Sequence, residues 1–344
     1  MSSVDTAPRR PGLSVVASRP SPAPSRDAVR RGAPSPAGSP AGSLAGSRAR
    51  SSALSTAWTS AWSTGVRGRG RSQVRTTSLH RRRTPGAPPL VLGHRGSSSP
   101  TCRENSVGAV LGAMAHGADG VEVDVRLSAD GVLVCSHDAV VATALGRELV
   151  VARTTAAELV ARAATPHGRL ATLSEVLSAL ADRGTTDVVV EAKPVDDQVA
   201  AFRTARALAA LLVPLSTSMG VTVSSFDALL LGAVRRTVFG SRLRTALLGH
   251  EGESAVAVLR RVVDAGHDEA HLSLRMLRQS PHVVRMAHHR GISVTAWTVN
   301  GAELAEVASL GVDALITDDV AAARTVLDRS TPVTALGMVG GTAC

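Results

Sequence analysis

Beyond Pro89 the hydrophobic residues fall into two alternating textures. Short runs rich in Val, Leu and Ile give way to Ala/Leu-rich stretches whose apolar positions recur every three or four residues, and the alternation continues to about Leu327. The short runs predict strands at 90–93, 121–125, 132–135, 188–191, 221–224, 245–248, 270–273, 293–298 and 314–317. Helices are expected between most of them, among them 106–116, 172–181, 199–212, 255–264, 281–289 and 303–310. Strict β/α alternation over this length implies a parallel sheet covered by helices. The count favours an α/β fold closed into a (β/α)8 TIM-type barrel. Nine runs compete for eight places, so one is a hairpin arm or no strand at all.

Upstream the texture is different. Residues 1–88 are Ser, Ala, Pro, Gly and Arg without a sustained period, a composition that cannot bury enough apolar surface to offset the entropy of ordering. They are expected to form a disordered basic extension, residues 89–328 the barrel, and residues 329–344 a loose C-terminal tail. The formal net charge of +10 divides along the same line. The first 90 residues carry 15 Arg against Asp5 and Asp27, whereas the remaining 254 carry 23 basic and 26 acidic side chains. A nucleic-acid partner is therefore not expected for the barrel. Weak contacts with anionic surfaces belong to the extension, where Trp58, Trp62 and Arg81 to Arg83 are the candidates, and a merely solvated arm is the plainer reading.

Overall composition, 44% hydrophobic and 19% charged, is that of a globular chain. No apolar run reaches the roughly 18–20 residues of a transmembrane helix, so no membrane-spanning segment is expected. Cys102, Cys135 and Cys344 have neither metal-ligand spacing nor an even framework, and reduced thiols are expected. No continuous apolar core follows the first basic residues, which favours a cytoplasmic location.

In a parallel barrel the chemistry sits at the carboxyl ends of the strands, and the polar residues gather there. His94, Arg95 and Gly96 follow the first run, Glu122 and Asp124 lie on the second, and His137 and Asp138 follow the third. Glu191 and Lys193 end the fourth, while Trp297 and Asn300 close a later one. Glu122 and Asp124 are two apart, so both side chains share one face of a strand. Two adjacent carboxylates resist desolvation unless a cation lies between them, and Glu191 can supply a third oxygen. With no thiolate in the set, the hard cations Mg²⁺ or Ca²⁺ fit best. The competing explanation pairs these carboxylates with Arg126, Arg153 or Lys193. His94 and His137 are placed to act as general base and general acid. Arg95 offers a planar fork for phosphate oxygens. His116, His250, His267, His271, His282, His288 and His289 are read as core or surface residues. Lys193 is the only lysine in the chain, among 38 basic residues, which suggests a site needing a compact ammonium. A cation, Arg95, Lys193 and two imidazoles at one barrel mouth suit a phosphodiester and its more highly charged transition state.

The stretches HRG (94–96), EN (104–105), GADGVEVDV (117–125), SADGVLVCSHD (128–138), LATLSEVL (170–177), VVVEAK (188–193), SSF (224–226), AWTVN (296–300) and GVDALITDD (311–319) resemble, in order, the glycerophosphodiester phosphodiesterase family. The resemblance covers about residues 89–328. It implies a TIM-type barrel and divalent-metal-dependent hydrolysis of a small-molecule glycerophosphodiester to glycerol 3-phosphate and an alcohol. It further implies that His94 and His137 are catalytic, that Arg95 and Lys193 contact the substrate phosphate, and that Glu122, Asp124 and Glu191 bind the metal; Trp297 is expected in the substrate pocket. Arg103 stands where the family usually has Pro, in a Ser-rich loop containing Pro100 and Cys102, and Ser106 replaces its Thr. Two other functions remain open at this stage: a phospholipase D-like hydrolase of lysophospholipid or sphingolipid, and a non-catalytic barrel scaffold with a basic binding tail. A chain with three Phe and no Tyr has few rings to line a lipid channel, which favours a water-soluble substrate.

Overall fold

The fold was obtained as a computed structural model and is described for residues 87–97, 102–163, 168–181 and 187–330. The expected extension, apart from Ala87 and Pro88, lies outside the described residues. So do Pro100, Cys344 and all of the expected tail but Arg329 and Ser330. The described chain runs β1 (Leu90–Gly93), α1 (Val107–Ala115), β2 (Gly120–Leu127), β3 (Leu133–Cys135), β4 (Val140–Ala142), β5 (Glu148–Val150), α2 (Ala156–Arg162), α3 (Leu173–Ala181), β6 (Asp187–Ala192) and α4 (Gln198–Leu212). It continues with β7 (Gly220–Ser225), α5 (Ala228–Thr237), β8 (Arg244–Leu248), α6 (Ala255–Ala265), β9 (Glu269–Ser273), α7 (Leu274–Gln279), α8 (Val283–His289), β10 (Ser293–Trp297), α9 (Glu303–Ser309), β11 (Ala314–Thr317) and α10 (Val320–Ser330).

Eight of these strands, β1, β2 and β6 to β11, are parallel and hydrogen-bonded in sequence order. β1 closes the ring, pairing with β11 from Leu90↔Ala314 to Gly93↔Thr317 and with β2 at Leu92↔Gly120 and Gly93↔Val121. The fold is a TIM barrel, as the alternation of strand and helix periods predicts.

The ninth run is a hairpin arm. β2 is long enough to overrun the barrel rim, turns back at Asp130-Gly131, and pairs antiparallel with β3 from Val125↔Cys135 to Leu127↔Leu133. Gly131 takes φ +83, a left-handed conformation with little cost for glycine, and the Ser128 hydroxyl donates to Asp130 at 2.6 Å. The β4–β5 hairpin and α2 that follow rest on a satellite core of Val134, Val141, Val151, Leu159 and Leu170. The hairpin escapes sequence reading because its strands are three residues long and largely exposed.

Period-two alternation sorts the strand residues into two environments. Outward-facing Val91, Val121, Val123, Val188, Val190, Val223 and Leu272 pack against helix residues such as Leu177, Leu208, Val234, Val262 and Leu304. Inside the ring, Leu90, Leu92, Val189, Ala314 and Ile316 form a separate apolar cluster under Trp297. The other half of the interior is polar. Glu269 on β9 meets the Arg244 guanidinium at 3.2 Å, accepts from the Thr222 hydroxyl at 2.7 Å and lies 3.2 Å from His271 Nε2. Burial opposes ionisation of Glu269, yet Arg244, His271 and Thr222 outweigh it and hold the carboxyl at about 2. On this side the barrel interior is therefore an ion-paired plug, set against hydrocarbon on the other. Of the histidines read as core or surface, His267 and His271 are buried. The His267 ring is drawn down to about 4 by burial and by Arg235, the nearby Asp268 opposing only in part.

Candidate active site

Glu122 and Asp124 follow the same alternation as Val121 and Val123 but one residue out of phase, so β2 aims both carboxylates into the barrel mouth. β6 places Glu191 beside them, in register with Asp124. One oxygen from each of Glu122, Asp124 and Glu191 lies within 4.8 Å of the other two. Such crowding is costly in a buried place, and each carboxylate resolves it differently.

Asp124 is the hub. It accepts from the Lys193 ammonium at 3.0 Å and from the Asn105 amide at 2.9 Å, and the Arg95 guanidinium lies 3.2 Å away. Burial would raise its pKa, but these partners overcome that and lower it. Glu191 binds Lys193 at 2.6 Å. Burial likewise disfavours the Lys193 charge, and the two carboxylates reverse the effect so that its pKa rises. Glu122 receives only the backbone N–H of Arg95, at 2.9 Å, and its Oε1 is buried without a hydrogen-bond partner. Burial, then Asp124 and Glu191, push its pKa well above the carboxylate range. A buried oxygen with no donor, flanked by two further carboxylates and no sulfur, is the donor set expected of a hard divalent cation.

Backbone geometry supports this arrangement. Gly93 has no room for a side chain, since an added Cβ would lie 2.4 Å from the Gly96 carbonyl. The chain leaves β1 in a tight turn, and His94, Arg95 and Gly96 cross the mouth. Arg95 (φ +51) and Asn105 (φ +55) are the only described non-glycine residues in the left-handed region, a conformation costing about 1–3 kcal/mol each. The strain is held by contacts to the acidic strand. Asn105 exchanges two hydrogen bonds with Asp124, through its amide and through its side-chain carbonyl. The Arg95 carbonyl accepts from the Asn105 N–H. The Arg95 guanidinium also pairs with Glu104 at 3.0 Å.

Seven residues thus form one network: Arg95, Glu104, Asn105, Glu122, Asp124, Glu191 and Lys193. Of the pairings considered from sequence, only Lys193 is in ion-pair contact with these carboxylates; Arg126 donates to the His137 carbonyl. His94 and His137 stand at the same end without a direct hydrogen bond to the network. His94 Nδ1 lies 2.7 Å from Asp318. Asp318 in turn accepts from the Asn300 amide at 2.7 Å, and Asn300 is locked by the Thr317 hydroxyl and the Asp318 N–H. His137 Nδ1 lies 2.8 Å from Asp138. In both cases a carboxylate beside Nδ1 leaves Nε2 available. Trp297 meets Phe226 edge-on at 5.5 Å, and Phe226 contacts His250 at 5.0 Å. The Trp297 indole N–H is buried without a partner. Sequence reading quotes Glu104, Asn105 and Asp318 only as motif letters and sets His250 aside. An Asp following a strand, opposite a His following another, is the signal for the Asp318 contact, but the pairing of β1 with β11 is needed to see it.

A closed (β/α)8 barrel whose carboxyl-end mouth gathers acidic oxygens, a buried ammonium, a guanidinium and two carboxylate-backed imidazoles defines an enzyme of phosphate-ester chemistry. Residues 94–322 match the glycerophosphoryl diester phosphodiesterase family, and the chain belongs to it as a phosphoric diester hydrolase. A glycerophosphodiester phosphodiesterase of Caldanaerobacter subterraneus subsp. tengcongensis is 29% identical over 247 residues, which span 67% of this chain and 94% of that protein. The crystal structure of a glycerophosphodiester phosphodiesterase from Thermotoga maritima superposes with TM-score 0.56 at 28% identity, covering 69% of this chain and 98% of that one. The barrel is also shared with an Oleispira antarctica phosphodiesterase solved with its product sn-glycerol-3-phosphate (TM-score 0.58, 22% identity, 70% and 97% covered). Among the described residues no helix is long and apolar enough to cross a membrane.

Proposed function

We propose that this enzyme hydrolyses glycerophosphodiesters to glycerol 3-phosphate and an alcohol, with a divalent cation held by Glu122, Asp124 and Glu191 and with His94 and His137 as the acid–base pair. The observation that carries the reading is the unsatisfied buried oxygen of Glu122 beside Asp124 and Glu191. The cation, Mg²⁺ or Ca²⁺, would supply Lewis-acid polarisation of a non-bridging phosphate oxygen. The chain's own residues supply the rest. Arg95 and Lys193, each anchored on Asp124, present positive charge to the phosphate as negative charge develops. His94, oriented by Asp318, and His137, oriented by Asp138, exchange protons with the attacking and departing oxygens. Trp297, with its unpaired indole N–H over the apolar interior, borders the pocket for the glycerol or alcohol portion.

The test is turnover of glycerophosphocholine by purified protein before and after chelation, and by His94→Ala and His137→Ala. Loss of activity in all three is expected, with the melting temperature unchanged in the two variants and lowered only by chelation; retained turnover in either variant refutes its assigned role. A second reading, hydrolysis of lysophospholipid, draws on a 60-residue match, 45% identical, to a mouse lysophospholipase D of which it covers 18%. Choline release from micellar lysophosphatidylcholine exceeding that from glycerophosphocholine would favour it.

A further inference from the structure

The flank of the barrel formed by α4 and α5 has a charge and an apolar texture that the active site does not use. Residues 198–250 contain six arginines and a single acid, Asp227, although the chain beyond residue 90 is net acidic. Asp227 is consumed in capping α5, accepting from the N–H groups of Leu229 and Leu230. Arg244 turns inward to Glu269. Arg203, Arg206, Arg236 and Arg242 are exposed, and among the described residues none of them pairs with a carboxylate. Asp196 and Asp197 lie beyond the mouth-side end of α4, and Asp197 caps that helix through Ala200.

Interleaved with these arginines are exposed apolar side chains. Val199 is 69% exposed, Leu229 and Phe202 are nearly half exposed, and Phe239 is 92% exposed at the tip of the turn after α5. Two of the chain's three phenylalanines therefore face solvent on one flank. They are bridged by Arg236, whose guanidinium lies 5.8 Å from the Phe202 ring centre. Arg236 and Phe239 together line a cleft of about 620 Å³ with Arg235, Arg261, Asp264 and His267. An aromatic this exposed at a turn tip, beside an arginine with no carboxylate partner, contributes nothing to the packed core.

We propose that this flank docks on an anionic phospholipid bilayer, with Phe239, Phe202 and Leu229 entering the headgroup–acyl boundary and Arg203, Arg206, Arg236 and Arg242 meeting lipid phosphates. Charge complementarity argues for the bilayer, and aliphatic Val199 and Leu229 favour hydrocarbon over nucleic-acid bases, on which they could not stack. Because α4 and α5 lie beside the strands and the mouth lies at their carboxyl ends, docking leaves the active site open to water.

The experiment uses the full chain at near-physiological salt with vesicles of equal phosphatidylglycerol and phosphatidylcholine, pure phosphatidylcholine vesicles, and single-stranded RNA. Amide hydrogen exchange on the mixed vesicles should show protection at 199–206 and 229–242. Since an arginine near an anionic surface is worth about fivefold in partitioning, Arg236→Gln with Arg242→Gln should lower binding about 25-fold, and Phe239→Ser should lower it further. Turnover of a water-soluble diester should be unchanged in these variants. Protection confined to residues 1–88 with unchanged partitioning of the variants would overturn the proposal, since the extension alone would then hold the membrane. RNA binding that falls in the variants while vesicle binding does not would overturn it equally.

Discussion

Replacing Glu122 by Gln separates the proposed cation site from the fold that carries it. The carboxylate oxygens of Glu122, Asp124 and Glu191 lie within 4.8 Å of one another. At an effective dielectric of about 20, each pair of full charges at that spacing repels by about 3–4 kcal/mol. Lys193 relieves Asp124 and Glu191 at 3.0 and 2.6 Å, but Glu122 has no cationic side chain in contact. Burial, then Asp124 and Glu191, shift Glu122 toward its neutral form in the cation-free protein, and Gln is the isostere of that form. Cation-free Glu122→Gln should therefore melt within about 2 °C of the parent, or above it. Cation binding to the parent at a hundredfold excess over Kd should add about 2.7 kcal/mol. For a barrel of this size that is about 5–11 °C in Tm. The assay is thermal unfolding of chelator-treated protein titrated with Mg²⁺ and, separately, with Ca²⁺. The variant's shift should collapse to about 1 °C. A variant that keeps the full shift, or a parent that shows none with any divalent cation, would refute the assignment.

Other predictions follow from single contacts. Asp318→Asn keeps the geometry around His94 but removes the charge that backs its Nδ1, so kcat should fall about 10- to 100-fold with KM changed less than twofold and Tm unmoved; an unaltered kcat would show that the 2.7 Å contact is incidental. Lys193→Arg places a wider planar head where a buried ammonium bridges Asp124 and Glu191, and steady-state assays should find kcat/KM at least about tenfold lower; near-parental rates would mean that charge alone suffices. Glu269→Gln removes the buried carboxylate charge that faces Arg244 in the barrel floor and should cost about 3–5 kcal/mol in urea unfolding at pH 7. The folded pKa of Glu269 is depressed to about 2, so its contribution is fully present above the ordinary carboxylate value and fades as pH falls toward 2. Parent and variant stabilities should therefore converge in acid; a constant difference from pH 7 to pH 2 would exclude an electrostatic origin.

Much of the fold could be read directly from the chain because its information is local. Alternating strand and helix periods, with Val on one face of each strand, admit few arrangements other than a closed parallel ring, and each predicted strand lies within a residue or two of the observed one. The same phase puts Glu122 and Asp124 on one face, and the pairing of β2 with β6 brings Glu191 to them. Pairings between distant segments were not readable. The left-handed turns at Arg95 and Asn105 are stabilised by hydrogen bonds to residues about 20 positions or more away. The contact of His94 with Asp318 spans 224 residues and exists only because β1 closes against β11. The polar floor around Glu269 and the exposed Phe239 beside Arg236 were equally hidden. Sequence period records which way a side chain points, whereas the identity of what it meets depends on barrel closure and helix packing, and those are set by the whole chain at once.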